Sequence, residues 1–447
     1  MREGLTILRR RRFQLLFAAR TSSMLGTSFG PVALAFGVLA LPGATPTTLS
    51  VVLAANTGTQ LIFLLVGGVL ADRMSRYRLM VASDTVTALA WAGVAVMMLT
   101  GWAPLWLLIL AASVAGLAEA LFFPALTGVI PEVVPADQLQ AANGVLRLGT
   151  NTARFLGFAV AGASVAIVGP GWTMVATAAT FLLSAGLLVG LRLPGTAPVG
   201  RSHVLADLRD GWREFASREW LWVVVLQFSF VVAGLQAFYG VLGPVVAKSD
   251  LGGARAWSAV LAGEAVGMLA GVFIAIRIRP RRPILLGVAL TLPLALAPLL
   301  LGVRAPLWTV VTGAFAAGMC IDIFGVLWET TMQREVPPAA LSRVSSYDAL
   351  GSFMFGPLGL LAAGPLATSV GPRAALVAAA GVIVLPTVAA LFSPGVRRMR
   401  GPVAVPTTPV EPAPGADTPV QPVLRTDAPG EPVPGAAPVE PALGTAA

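Results

Sequence analysis

The sequence predicts an all-α membrane protein in which twelve transmembrane helices form two pseudo-symmetric six-helix bundles. Three observations carry that expectation. Of 447 residues, 56% are hydrophobic and only 11% are charged, with a mean hydropathy of +0.82. That is more apolar surface than a water-soluble globule can hide. The apolar residues also fall into twelve runs, each about as long as the 20 residues a helix needs to cross roughly 30 Å of hydrocarbon. Finally, the halves repeat. Sliding residues 134 to 183 by 202 positions places Pro135 on Pro337, Leu139 on Leu341, Gly149 on Gly351, Gly157 on Gly359, Gly162 on Gly364 and Gly169-Pro170 on Gly371-Pro372. Such a match is expected of two six-helix units related by a parallel repeat.

The first run, 13 to 40, follows the basic cluster Arg9 to Arg12 and is not closed by the small-residue cleavage site of a secretory leader, so it reads as a span. Runs 49 to 71 and 79 to 100 flank a short charged connection, and 105 to 130 completes a second hairpin. Runs 141 to 168 and 172 to 192 are divided by Gly169-Pro170, a turn signal. In the second half the runs are 220 to 245, 256 to 276, 284 to 303, 307 to 331, 346 to 369 and 374 to 393. The expected organisation is an N-terminal bundle over 1–192, a cytoplasmic linker over 193–219, a C-terminal bundle over 220–395 and a tail over 396–447.

Within the linker Val204, Leu205, Leu208, Trp212 and Phe215 recur at helical spacing after Ser202, which reads as an amphipathic helix on the inner membrane surface. From Gly401 onward 12 of 47 residues are proline, and the acids outnumber Arg425 by five to one. Such a segment buries too little to order itself, so a disordered cytoplasmic tail is expected.

Orientation follows from charge. With the amino terminus in the cytoplasm, the outer connections carry only Lys248, Arg255, Arg304 and Arg373, and the remaining loop arginines lie inside. An even number of spans then leaves both termini cytoplasmic in a multi-pass protein of the cell membrane. The formal charge of +9 accordingly reads as anchoring to lipid headgroups and not as a nucleic-acid surface. Cys320 is the sole cysteine and His203 the sole histidine, so an intrachain disulfide or a cysteine metal cluster is excluded. No metal and no cofactor is expected. The sequence has no phosphate-binding loop, no H-E-x-x-H and no G-x-S-x-G supported by a triad, which argues against an enzyme and against catalytic residues.

Candidate functional residues are those that are costly to hold in lipid. Arg20, Glu119, Glu264 and Asp322 lie deep in apolar runs, where a charge costs about 2.5 to 3.5 kcal/mol and should face a cavity or a partner. With no intramembrane histidine, a proton relay would run through the carboxylates. The competing reading is structural, with the acids paired to Arg20, Arg147 or Arg154. Gly149, Gly157 and Gly162 in the fifth run, and Gly356-Pro357 in the eleventh, have the chemistry of close packing and hinging. Most aromatics should face lipid; Phe123, Phe238, Tyr239 and Phe324 are the candidates for an apolar substrate pocket.

The connection between the second and third runs carries one acid among arginines. Gly68, Leu70, Asp72, Arg73 and Arg76 stand at the spacing G-x-L-x-D-R-x-G-R-R/K, with Ser75 in place of a glycine and Arg78 one place beyond the last basic position. This resembles the loop signature of the major facilitator superfamily. The resemblance implies a cytoplasmic latch in which Asp72 partners helix termini or arginines, with Asp84 two to three turns further on coupled to it. Gly157 to Gly162 stands where drug antiporters of the superfamily show G-P-x-x-G-G, without the proline. The stretch from Arg20 to Gly26, Val134-Pro135 with Leu139 and Ala142-Asn143, and Val336-Pro337 with Leu341 and Arg343-Val344 look like the bacterial exporter branch that includes enterobactin and macrolide efflux proteins. The activity so implied is proton-coupled efflux of an amphiphilic small molecule (a drug, antibiotic or siderophore) by a monomer whose halves rock. Two alternatives stay open: a nutrient uptake symporter, and a transport-inactive sensor or scaffold that works through its proline-rich tail.

Overall fold

The computed structural model describes residues 10–135, 138–191, 212–275 and 277–400, and among these there is no strand. The first four spans are α1 (Arg11–Ala40), α2 (Pro46–Arg73), α3 (Arg76–Thr100) and α4 (Leu105–Val133). A helical run over Leu139–Val189 follows. At 51 residues it is twice the length of a span, and it turns at Gly169, where φ is 86° and ψ is 164°. Its arms are α5 (139–168) and α6 (170–189). The second half contributes α7 (Glu219–Asp250), α8 (Ala254–Ala275), α9 (Pro283–Gly302) and α10 (Leu307–Glu335). Two pieces, Pro338–Phe353 and Gly356–Ser369, make α11, and α12 is Pro372–Phe392. Among the described residues, eleven apolar helical runs of spanning length therefore supply twelve crossings, because one run folds back on itself.

The repeat seen in the sequence recurs in the backbone. Gly371, the counterpart of Gly169, has φ 89° and opens α12. Positive φ is cheap only for glycine, and the following proline is favoured in the first turn of a helix. Gly-Pro therefore reverses the chain at the same point of each half. The three other glycine pairs have matching neighbours. A Cβ on Gly149 or Gly157 would strike Phe17 or Ser28 of α1, and one on Gly351 or Gly359 would strike Val225 or Ala233 of α7. Gly162 abuts Ala254 and Ser258 of α8, and Gly364 abuts Thr47 and Ser50 of α2. So α5 sits between α1 and α8 as α11 sits between α7 and α2.

Small residues let backbones touch, the usual source of helix association where lipid replaces water. Gly263, Gly267 and Gly271 form one edge of α8 against α10, where added Cβ atoms would collide with Val311, Phe315 and Met319. A buried polar contact ties three further spans. Gln227 Nε2 donates to Thr291 Oγ1 at 3.0 Å and to Thr387 Oγ1 at 2.8 Å, joining α7 to α9 and α12. Intramembrane hydrogen bonds of this kind contribute about 0.6 to 2 kcal/mol. Gln227→Leu is expected to destabilise the detergent-solubilised protein by about that amount; an unchanged melting midpoint would remove Gln227 from the core.

Several sequence expectations are refined. The charged connection is shorter than residues 68 to 78 suggest, because α2 continues through Arg73 and only Met74 and Ser75 separate it from α3. α11 breaks at Met354 and Phe355, immediately before Gly356-Pro357, as a proline that clashes with the preceding turn requires. A π-helical turn over Ala237–Leu242, with no forewarning in the sequence, interrupts α7. The linker helix lies mostly outside the described residues; its last turn, 212 to 216, is helical, and Trp212 stacks on Phe215 at 5.7 Å and meets Tyr347 of α11 edge-on. The tail from Gly401 also lies outside them.

Candidate functional site

One end of the bundle holds Lys248, Arg255, Arg304 and Arg373, at helix ends or in the loops between them; the other carries Arg76, Arg78, Arg218, Arg277 to Arg282, Arg334 and Arg397 to Arg400. Near the arginine-poor end the halves are in contact. Lys248 Nζ donates to the Leu39 carbonyl, and Ser50 Oγ donates to the Leu360 carbonyl. Ser50 Oγ also accepts the Gly364 N–H at 3.3 Å. The close approaches of Gly162 to α8 and of Gly364 to α2 fall on the same side.

Inward of this seam is a cavity of about 470 Å³ to which both halves contribute. That size suits a small-molecule ligand. Its apolar wall comprises Met24, Leu61, Leu64, Phe122, Phe181, Val232 and Phe353, and its polar groups include Thr27, Thr57, Gln60, Thr87 and Gln236. Arg20, Asp84 and Glu119 supply charge from α1, α3 and α4. Arg20 extends over the Phe122 ring with its guanidinium carbon 5.4 Å from the centroid, a cation–π contact that contributes about 0.5 to 2 kcal/mol. It also lies within electrostatic reach of Asp84. Asp84 is 3% exposed, and its Oδ2 accepts a hydrogen bond from Ser184 Oγ of α6. The Trp91 indole faces the Glu119 carboxylate. Two carboxylates within reach of each other thus line a partly apolar chamber with one arginine, which lies within reach of Asp84. Such an arrangement can exchange one bound proton, or one bound cation, without leaving a bare charge in lipid.

Glu264 and Asp322 gather elsewhere, between the halves. Glu264 of α8 faces the hydroxyl of Tyr239, which stands in the π-helical turn of α7, and Arg154 of α5 is within electrostatic reach of both. Asp322 of α10 is within reach of Arg154 and Arg147. The guanidinium carbon of Arg154 is 5.9 Å from the Phe158 ring centroid.

The structure therefore divides the sequence candidates. Arg20 and Glu119 come together, and Asp84, grouped in the sequence with the loop signature, joins them. Glu264, Asp322 and Tyr239 form a second cluster. Phe238 and Phe324 do not line the cavity: Phe238 is fully buried with its ring 5.4 Å from Trp257, and Phe324 stacks on Phe228 at 5.1 Å. They are packing residues, and Phe122, Phe181 and Phe353 line the cavity instead. The side chains of Phe123, Asp72 and Arg73, and the surroundings of Gly68, lie outside what is described. At the signature, Arg76 pairs with Glu132 at the end of α4 at 3.3 Å, and the Arg78 side chain meets the Tyr77 hydroxyl at 3.4 Å. Gly149 and Gly157 pack α5 on α1, Gly162 packs it across the halves, and Gly356-Pro357 begins the second piece of α11. Ser184 and Gln236 carried no sequence signal, since each is a lone polar residue in an otherwise ordinary span, and neither Gln60, at the end of the polar stretch from Asn56, nor Glu132, just beyond the fourth run, belongs to a motif.

Twelve apolar spans around a cavity shared by two repeated halves describe a multi-span membrane transporter and not an enzyme. The family model for the Major Facilitator Superfamily matches residues 15–347, and the chain belongs to that superfamily. It is 27% identical over 398 residues to the multidrug efflux pump Tap of Mycolicibacterium fortuitum, covering 86% of this chain and 96% of that protein. The enterobactin exporter EntS of Escherichia coli is 26% identical over 370 residues, covering 78% and 85%. Among solved structures, the nucleoside transporter NupG superposes with a TM-score of 0.68 at 13% identity, covering 85% of this chain and 98% of that one. A POT family transporter bound to a thioalcohol-conjugated peptide gives 0.69 at 12%, covering 86% and 96%. These likenesses establish the fold. The chain is a multi-pass transporter of small molecules in the cell membrane.

Proposed function

We propose that this transporter exports an amphiphilic small molecule in exchange for protons, acting as a monomer with both termini in the cytoplasm. Two six-helix units, 1–192 and 220–395, rock about the central cavity to expose it alternately. The observation that carries this reading is the cavity itself, where an aromatic and aliphatic wall faces Arg20, Asp84 and Glu119. The wall suits the apolar part of a substrate. The carboxylates provide proton-binding groups in a protein whose only histidine lies outside the spans. Contacts at the arginine-poor end correspond to an inward-facing form, because arginine-rich connections are retained in the cytoplasm. The names of the Tap and EntS relatives favour efflux of a drug or siderophore over uptake.

The test is transport in proteoliposomes under an imposed proton gradient, using substrates found by screening an efflux-deficient bacterium for restored resistance. Substrate movement should follow the gradient, run outward in cells and persist after deletion of residues 401–447. Gradient-independent transport would remove the proton from the scheme, accumulation inward would indicate a symporter, and loss of function with the tail would indicate a scaffold.

A further inference from the structure

A second cavity, of about 430 Å³, opens on the outside of the C-terminal half between α7, α11 and α12, and every residue that lines it is apolar. Its floor is glycine and alanine. A Cβ on Gly234 of α7 would strike Ile383 and the Ala379 carbonyl of α12, and one on Gly359 of α11 would strike the Ala233 carbonyl of α7. The three helices therefore touch at the floor. Above it Ala362 of α11 and Ala378 of α12 line the space, are exposed and leave it open. The rim carries the exposed side chains of Phe230, Leu358, Leu366 and Val382, which on membrane spans face hydrocarbon, so the groove is continuous with the surface that meets the bilayer.

Position along the helices sets its depth. Leu366 is three residues from the end of α11 at Ser369, and Ala375 is three from the start of α12 at Pro372, both at the arginine-poor end. Three residues are about 5 Å. Val382 is ten residues into α12, and Phe230 is eleven into α7 from the arginine-rich end, or about 15 and 16 Å. The groove thus begins just inside the arginine-poor surface and stops near the middle of the spans. That is the hydrocarbon depth of one leaflet, half of roughly 30 Å. At the inner end the rings of Phe230 and Phe355 meet edge-on at 5.0 Å.

The lining decides among occupants. Water would find no polar partner there. An empty slot would forfeit the dispersion contacts of its walls while mobile chains lie against its open side. A transported amphiphile needs polar groups to orient it, and those line the central cavity, to which the same stretches of α7 and α11 turn Val232, Gln236 and Phe353.

We infer that the groove binds one acyl chain of a phospholipid from the leaflet at the arginine-poor end, its terminal methyl against Phe230 and Phe355. The chain gains nothing by leaving its neighbours, which are equally apolar, so the preference comes from fit between three walls. The inference needs only that the helices span a bilayer and does not rest on the proposed function.

The test uses the full-length chain in proteoliposomes containing phosphatidylcholine that carries a diazirine either at the end or in the middle of one chain. After irradiation the label is located by peptide mass spectrometry. The chain-end probe should mark the segments around Phe230 and Phe355, and the mid-chain probe those around Ala362 and Ala378. Each should exceed at least threefold the label on the exposed face of α3 at Leu89 and Val96. Ala362→Trp with Ala378→Trp, which fills the slot from its lipid side, should bring the groove down to the α3 level. Ala378→Leu, a smaller filling that spares a fold the double change might disturb, should lower the excess part of the way. Equal labelling of the groove and α3, labelling that ignores probe depth, or an excess that survives both fillings would each overturn the chain site. Displacement of the label by a substrate found in the resistance screen would overturn it in favour of a substrate site. A dimer in lipid nanodiscs that Ala378→Leu dissociates would overturn it in favour of a second copy of the chain.

Discussion

Asp84→Asn and Glu119→Gln are each expected to reduce gradient-driven transport at least tenfold while leaving substrate exchange at equal pH within about threefold. Both acids line the cavity; Asp84 is within electrostatic reach of Arg20, and Glu119 is within reach of Asp84. An amide keeps the shape and part of the hydrogen bonding of a carboxyl but cannot take or release a proton. Removing the proton site should therefore uncouple the cycle while the apolar wall still binds. The measurement is paired: concentrative transport under a pH gradient, and counterflow without one, on the same reconstituted variants. Equal loss in both assays would make the residues structural, and loss in neither would exclude them from coupling. Ser184→Ala, which removes the hydrogen bond to Asp84 Oδ2, is a useful companion, since it should change the pH at which transport is half-maximal more than the maximal rate.

Gly162→Leu should lower transport at least tenfold in a protein that still folds, whereas Gly267→Leu should yield little folded protein. Both glycines abut carbonyls of a neighbouring helix, so contact geometry alone would rank them equally. They differ in what they join. Gly267 packs α8 on α10 within one half, a contact required in every state. Gly162 packs α5 on α8 between the halves, at the seam that must part when the cavity faces the other way. A leucine there opposes only the closed seam and should trap the protein with the arginine-poor end open. Thermal unfolding in detergent and cysteine accessibility at that end check the pair; similar loss of folded protein in both variants would make the seam a permanent interface. By the repeat, Gly364→Leu should behave like Gly162→Leu, because Gly364 meets α2 as Gly162 meets α8.

The spans were legible because lipid imposes a length and an apolar composition that survive in any single run. The Gly169-Pro170 and Gly371-Pro372 turns were legible because positive φ and a missing N–H select those residues. The cavity was less so. Arg20, Asp84, Glu119 and Ser184 meet from four helices, and nothing local to Asp84 separates a latch residue from a cavity residue four helices away. Phe238 and Phe122 illustrate a second limit. In a soluble helix the buried face is marked by contrast with a polar one, but a span apolar on every side offers no such contrast. Tyr239 depended on the π-helical turn, which rotates its side chain out of the register that α-helical counting assigns.

Where the two bundles meet at Gly162 and Gly364, main chain rests on main chain with few long side chains between. An interface of that kind has few rotamers to immobilise when it forms and few to release when it separates. Its free energy then resides mainly in dispersion contacts and a handful of polar links such as those of Ser50 and Lys248. A joint so constituted can separate and reseat repeatedly without repacking either partner, which lets turnover be governed by what occupies the chamber and not by the mechanics of its wall.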